Sequence, residues 1–159
     1  MDLREGEKVL KIYHHHPTPF IIDLFKIIMG SFPFFLLLYL FGPTMSDKVF
    51  IWAHIIVIIL FTLVLIYQAL VYWLDRLLIT NQRVVHIDWR YLTIRDEYEA
   101  ELSDVQDVST KEKGILSAFW VFDYGTFTLQ TASHTSIIEF LDAPDPEGIR
   151  QFVYHIKPN

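Results

Sequence analysis

The sequence contains no cysteine among its 159 residues. That excludes a disulfide framework and any thiolate metal site. Positive charge is scarce as well: 13 Lys and Arg face 19 Asp and Glu, for a net charge of −6. The shortage is confined to one part of the chain. Residues 1–74 carry five basic and five acidic side chains, whereas residues 75–159 carry eight basic against fourteen acidic. An acidic segment is repelled by nucleic-acid phosphates and by anionic lipid headgroups, so nucleic acid is not an expected partner. Sequence signatures of catalysis are missing too. There is no glycine-rich phosphate loop, no nucleophile elbow and no kinase motif. Neither an enzymatic activity nor a catalytic residue nor a cofactor is expected. The start of the chain carries acidic residues and lacks a short apolar core ahead of a small-residue cleavage site, so it does not read as a cleavable signal peptide.

What the chain has in excess is apolar sequence, most of it between Phe20 and Leu74. Val49 to Leu74, "VFIWAHIIVIILFTLVLIYQALVYWL", runs for 26 residues without a formal charge. A helix needs about 20 apolar residues to cross the hydrocarbon core, so this segment has length to spare. Phe20 to Phe41, "FIIDLFKIIMGSFPFFLLLYLF", is the second candidate span. Asp23 and Lys26 interrupt its beginning, but they lie three apart and pair on a helix face, and Lys26 can snorkel to the interface. Gly30 and Pro33 predict a kink that membrane helices tolerate. The intervening "GPTMSDK" is a tight turn. Two spans so joined form an antiparallel hairpin with both ends on one side. Arg4, Lys8, Lys11 and Lys26 flank one end, Arg76 and Arg83 the other, and the connection carries only Lys48. That bias puts both termini in the cytoplasm, with Tyr72 and Trp73 as interfacial anchors. The expected location is the inner (plasma) membrane, as a multi-pass protein embedded in the lipid bilayer.

After Asp75 and Arg76 the apolar period changes to two. "RLLIT" and "RVVHIDW" are short strands around an "NQ" turn. "EYEAEL", "VQDVSTKEK", "GTFTLQT" and "SIIEFLD" continue the pattern, with Phe127 and Leu129 on one face of their strand. Six or seven short strands point to a small antiparallel barrel or sandwich. "APDPEGIRQFVYHIK" then opens with Asp145 as N-cap and Pro146 in the first helical position. Ile149, Phe152, Val153 and Ile156 form one apolar stripe, suited to covering an open end of the β-structure. The expected fold class is an α+β membrane protein: a two-helix transmembrane hairpin, a small antiparallel β-barrel or sandwich, and a C-terminal amphipathic helix. The expected boundaries are a cytoplasmic lead over 1–19, the hairpin over 20–74 (spans about 20–41 and 49–74) and a cytoplasmic domain over 75–159.

The stretches "LDRLLITNQRVVHID", "EAELSDVQDVSTKEKGIL", "YGTFTLQTAS" and "FLDAPDPEGIRQFV" resemble the bacterial pleckstrin-homology (PH) family of small membrane proteins. The lead "EKVLKIYHHHP" is similar to that family's approach to its first span. The resemblance covers nearly the whole chain and implies a PH-like fold after two spans.

Function must come from the residues. His14, His15 and His16 are consecutive, so they point in different directions and cannot all face one metal; they read as histidines near a membrane surface, where a pH response is possible. His54, inside the second span, reads as a contact between helices or copies, or as a residue near the outer interface. Asp96, Glu97, Glu99, Glu101, Asp104 and Asp107 read as a solvated face. No metal site is expected. Arg76, Arg83 and Arg90 form a weak candidate for lipid headgroups, each cation adding about 1 kcal/mol near an anionic surface. "GILSAFWVFDYG" concentrates Phe119, Trp120, Phe122 and Tyr124. Alternate residues of a strand face outward, so part of this apolar surface must meet protein, lipid or another copy. The expected function is a membrane-anchored interaction or scaffolding protein that assembles with itself or with other membrane proteins through these rings and the open sheet edges. The alternatives are a headgroup-sensing module and an accessory subunit of a transporter or membrane enzyme.

Overall fold

The computed structural model describes residues 2–112, 124–131 and 137–158, which divide into two compact units. One unit, Pro19–Leu70, is helical. Helix α1 spans Pro17–Phe41 and helix α2 spans Asp47–Leu74, joined by a 3-10 turn at Gly42–Thr44. Both are long and apolar enough to cross a membrane. They are greasy on every side, as a helix in lipid is, rather than striped like one packed on a soluble core. Helix α1 runs on through Pro33, and the Lys26 ammonium reaches Asp23 at 2.7 Å, as their spacing predicts. The helices touch through rings: Phe34 meets Phe61 edge-on at 5.4 Å, and His54 lies between Phe50 and Phe35 at 4.3 and 6.1 Å. Nδ1 of His54 lies 2.9 Å from the Phe50 carbonyl one turn back.

The other unit combines Met1–Thr18 with Val71–Asn159. Its strands are β1 (Val9–Tyr13), β2 (Arg76–Thr80), β3 (Arg83–Tyr91), β4 (Ile94–Glu101), β5 (Val105–Glu112), β6 (Tyr124–Thr131) and β7 (Ile137–Pro144). The first four make one antiparallel sheet in the order β1-β2-β3-β4, and the last three make another, β5-β6-β7. Alternation decides which side chains go inward. Leu77 and Ile79 of β2, Val84 of β3, Phe127 and Leu129 of β6, and Ile138 and Phe140 of β7 are all buried in one core. A smaller cluster of Leu78, Val85 and Ile87, with Trp89 against it, uses the opposite face of the first sheet.

Helix α3 (Pro146–Ile156) closes the chain. Asp145 caps it, its Oδ1 accepting from the Gly148 amide at 2.9 Å. Gly148 is needed there, because a Cβ would lie 2.1 Å from the Asp145 carboxylate. Ile149 and Val153 are buried in the core, with Phe152 and Ile156 packed beside them.

The lead takes part in the first sheet. The lead is not a separate segment: β1 pairs with β2, Val9 opposite Thr80 and Tyr13 opposite Leu77. The hairpin is therefore an insertion between the first and second strands of the domain. Six strands follow Arg76 among the described residues, and the seventh precedes the hairpin. The "NQ" turn holds the lead in place. Asn81 Oδ1 accepts from the Lys8 amide at 2.7 Å, Asn81 Nδ2 donates to the Gly6 carbonyl at 3.1 Å, and Gln82 Nε2 donates to the Glu5 carbonyl at 3.2 Å.

Candidate functional site

Strand β3 leads from the core to solvent along one face. Val84, His86, Asp88 and Arg90 alternate on it, and exposure rises from the buried Val84 and His86 to the open Arg90. Beyond Val84 this face forms one wall of a cleft of about 310 Å³. Tyr98 of β4, opposite His86 in register, continues that wall. Ile137, Glu139 and Leu141 of β7 line the other side, and His15 and Asp75 close one end.

Asp75 is the first residue after α2, and both of its oxygens are engaged. Oδ2 faces His15 Nε2 at 3.1 Å and Oδ1 faces His86 Nε2 at 3.1 Å. The other ring nitrogen of His15, Nδ1, faces the Leu141 carbonyl oxygen at 2.6 Å. Phe140 orients both rings, stacking on His15 at 4.6 Å and meeting His86 edge-on at 5.2 Å. Tyr72 Oη donates to the His15 carbonyl at 2.6 Å. The His16 amide donates to the Asp142 carbonyl at 2.7 Å, so the lead reaches β7 as well as β2. Burial favours the neutral acid at Asp75, but the hydrogen bonds from His15 and His86 hold it below the usual carboxylate range. At His15 burial opposes the charge, yet the hydrogen bond to Asp75 and its charge raise the ring above its ordinary value. Among the described residues no three His, Cys, Asp or Glu side chains are placed to hold a metal ion.

The candidate residues of the sequence do not gather in one place. Arg83 is buried, at 4% exposure. Its Nε and Nη2 meet the Glu7 carboxylate at 2.8 and 3.0 Å, Nη1 meets Glu99, and Nη2 also donates to the Asp2 carbonyl at 3.0 Å. Hydrogen bonding to Arg83 lowers the Glu7 carboxyl to about 2 against the burial that would raise it, and the same contact raises Arg83. Arg83 is thus engaged with Glu7 and Glu99 inside the domain. Arg76 is exposed and stands opposite Ile87, roughly 13 Å along the strand from Arg83 at about 3.3 Å per residue. Arg90 is exposed at the cleft mouth and faces Asp96 at 3.3 Å and Asp88 at 3.7 Å. Phe119, Trp120 and Phe122 lie outside the described residues. Tyr124 opens β6 and stacks on His16 at 5.3 Å.

The Asp75 cluster was not singled out in the sequence. Two signals point to it: polar His15 and Asp75 stand at the two ends of the apolar block, and His86 occupies an inward position of "RVVHIDW".

Four strands, then three, then a capping helix, with a pair of membrane-length helices inserted after the first strand, define a PH-like domain carrying a helical hairpin. A family model described as the bacterial PH domain matches residues 27–157. The chain belongs to that family. The match begins within α1, so β1 and the histidine run lie ahead of it. No curated protein matches the chain. A crystal structure of a DUF1696 family protein with a pleckstrin-homology domain from Shewanella loihica PV-4 is similar at 16% identity, covering 53% of this chain and 71% of that one with a TM-score of 0.40.

Proposed function

We propose that the protein is a membrane-anchored interaction module, with its PH-like domain held at the cytoplasmic face of the inner membrane by the hairpin and assembling with itself or with other membrane proteins. The observation that carries this reading is the insertion of two membrane-length helices between β1 and β2. Strand pairing brings the two flanks of the hairpin together, which fits an anchor entering and leaving a bilayer on one side. Exposed apolar side chains at the sheet edges support assembly: Ile94 of β4 is 46% exposed and Ile137 and Leu141 of β7 are 55% and 52% exposed. Edge strands of this kind offer backbone and side chains to a partner. An accessory subunit of a transporter or membrane enzyme is one form such assembly takes. Headgroup sensing has less support, because Arg83 is engaged with Glu7 and Glu99, and Arg90 faces Asp88 and Asp96.

The absence of cysteine makes the test direct, since an introduced thiol is unique. In intact cells a membrane-impermeant maleimide should label Ser46→Cys, in the connection between helices, and should label Asp107→Cys, on β5, only after permeabilisation. The reverse pattern sinks the orientation. In native membranes a bifunctional thiol reagent should give discrete adducts from Ile94→Cys or Ile137→Cys. Monomer alone at both sites, with a monomeric mass in mild detergent, sinks assembly.

A further inference from the structure

The partners of both ring nitrogens of His15 favour its charged form. Nε2 faces the Asp75 carboxylate at 3.1 Å and Nδ1 faces the Leu141 carbonyl at 2.6 Å. An ionised carboxylate and a carbonyl can only accept. Both contacts are satisfied only when both ring nitrogens donate, and a ring with two N–H groups is the imidazolium. A neutral ring satisfies one of these partners and sets a lone pair against the other. The position matters as much as the charge. His15 stands two residues before α1 begins at Pro17, and Asp75 directly follows Leu74, the last residue of α2. The same ring thus joins the segment entering the hairpin, the segment leaving it, and β7.

We propose that protonated His15 is a clasp that fastens the lead to Asp75 and to β7, and that loss of its proton releases the lead from β7 while β1 stays paired with β2. Among the groups facing it from each neighbouring element, the acids favour the charged ring. Asp75 contacts it directly, and Tyr72, from the end of α2, donates to its carbonyl. From β7, Asp142 adds negative charge and Glu139 lines the adjoining cleft. From β3, His86 shares Asp75, and Arg90 is opposed by Asp88. Tyr98 is the group on β4. The sign follows from linkage: a base whose folded value is raised contributes its stabilisation below the unfolded value and loses it as pH rises through the folded one. Asp75, held low, sets the acid limit. The clasp is closed between the lowered Asp75 value and the raised His15 value, and it opens as pH rises through the latter.

The test uses the full chain in lipid nanodiscs with ring-15N histidine, His15 being assigned by the signal missing in His15→Gln. Both His15 nitrogens should carry protonated shifts at about pH 6 and titrate above the ordinary value of 6.5. The His16 amide, bonded to Asp142, reports opening by hydrogen exchange after correction for intrinsic rates. Opening should rise by up to about tenfold per pH unit between the two values, the slope of one proton, and His15→Gln should abolish that slope. A neutral His15 ring at about pH 6, or an unchanged slope in His15→Gln, overturns the proposal. Should His15→Gln fail to fold, the ring titration is read against Asp75→Asn instead, in which His15 must lose its raised value; if it does not, the clasp is overturned.

Discussion

The guanidinium of Arg83 meets Glu7 through two parallel hydrogen bonds and Glu99 through a third. Replacing it by methionine leaves the Glu7 carboxylate covered and unpaired. Breaking such a pair costs about 3 kcal/mol, the low end of the range for a buried pair because this one lies at the outer face of a sheet. Arg83→Met should therefore lower the unfolding midpoint by roughly 10–20 °C, followed by circular dichroism, and Glu7→Leu added to it should restore most of the loss. Glu7 also fixes an acid dependence. Its carboxyl is lowered from 4.5 to about 2, so its contribution is present above the unfolded value and disappears as pH falls through that window. Glu7→Gln should flatten stability over this range; an undiminished acid slope would contradict the assignment. Asp75→Asn removes the acceptor shared by two imidazoles and should cost about 2 kcal/mol in denaturant melts, as for hydrogen bonds to charged groups. None of this was legible along the chain. Arg83 and Glu7 are 76 residues apart, and a cation beside a hairpin turn looks solvated until its partner is placed.

Elements with a local periodic signal were read well from sequence. Helix α3 follows from Asp145, Pro146 and the stripe from Ile149 to Ile156, and β6 follows from the alternation around Phe127 and Leu129. Strand β1 escaped because "VLKIY" is short, is interrupted by Lys11 and finds its partner on the far side of the helices. The caps and close approaches of these elements can be tested. Asp145 has a positive φ of 44°. Asp145→Ala should therefore lose both the cap, about 1 kcal/mol, and the ease of that backbone region, about another 1 kcal/mol. Asp145→Gly keeps the backbone freedom and should be the milder change; equal losses would show that the conformation carries no strain. Gly125 lies against β5, where a Cβ would come within 2.3 Å of the Lys111 carbonyl oxygen. Gly125→Ala should destabilise by about 2 kcal/mol through overpacking, as read by thermal unfolding.

At the scale of the whole molecule, the domain is assembled from both sides of the hairpin. A fragment of residues 75–159 lacks β1 and leaves Arg83 without Glu7. It should show poorly dispersed amide resonances. Joining residues 1–16 to 75–159 through a short turn should restore a dispersed spectrum, because His15 and Asp75 already touch; a well-folded 75–159 fragment would show that β1 is dispensable. The two apolar segments were evident in sequence because length and hydropathy are additive along the chain, whereas the insertion point depends on a pairing that no local window contains. That insertion orders events on the ribosome. The lead emerges first and stays without a partner while both helices are synthesised and β2 follows. For a hairpin that crosses a bilayer, a nascent chain with only one helix integrated would strand β1 and β2 in different compartments. Completion of the first sheet then requires that both helices have integrated, and a chain that stalls at one would leave β2 without β1.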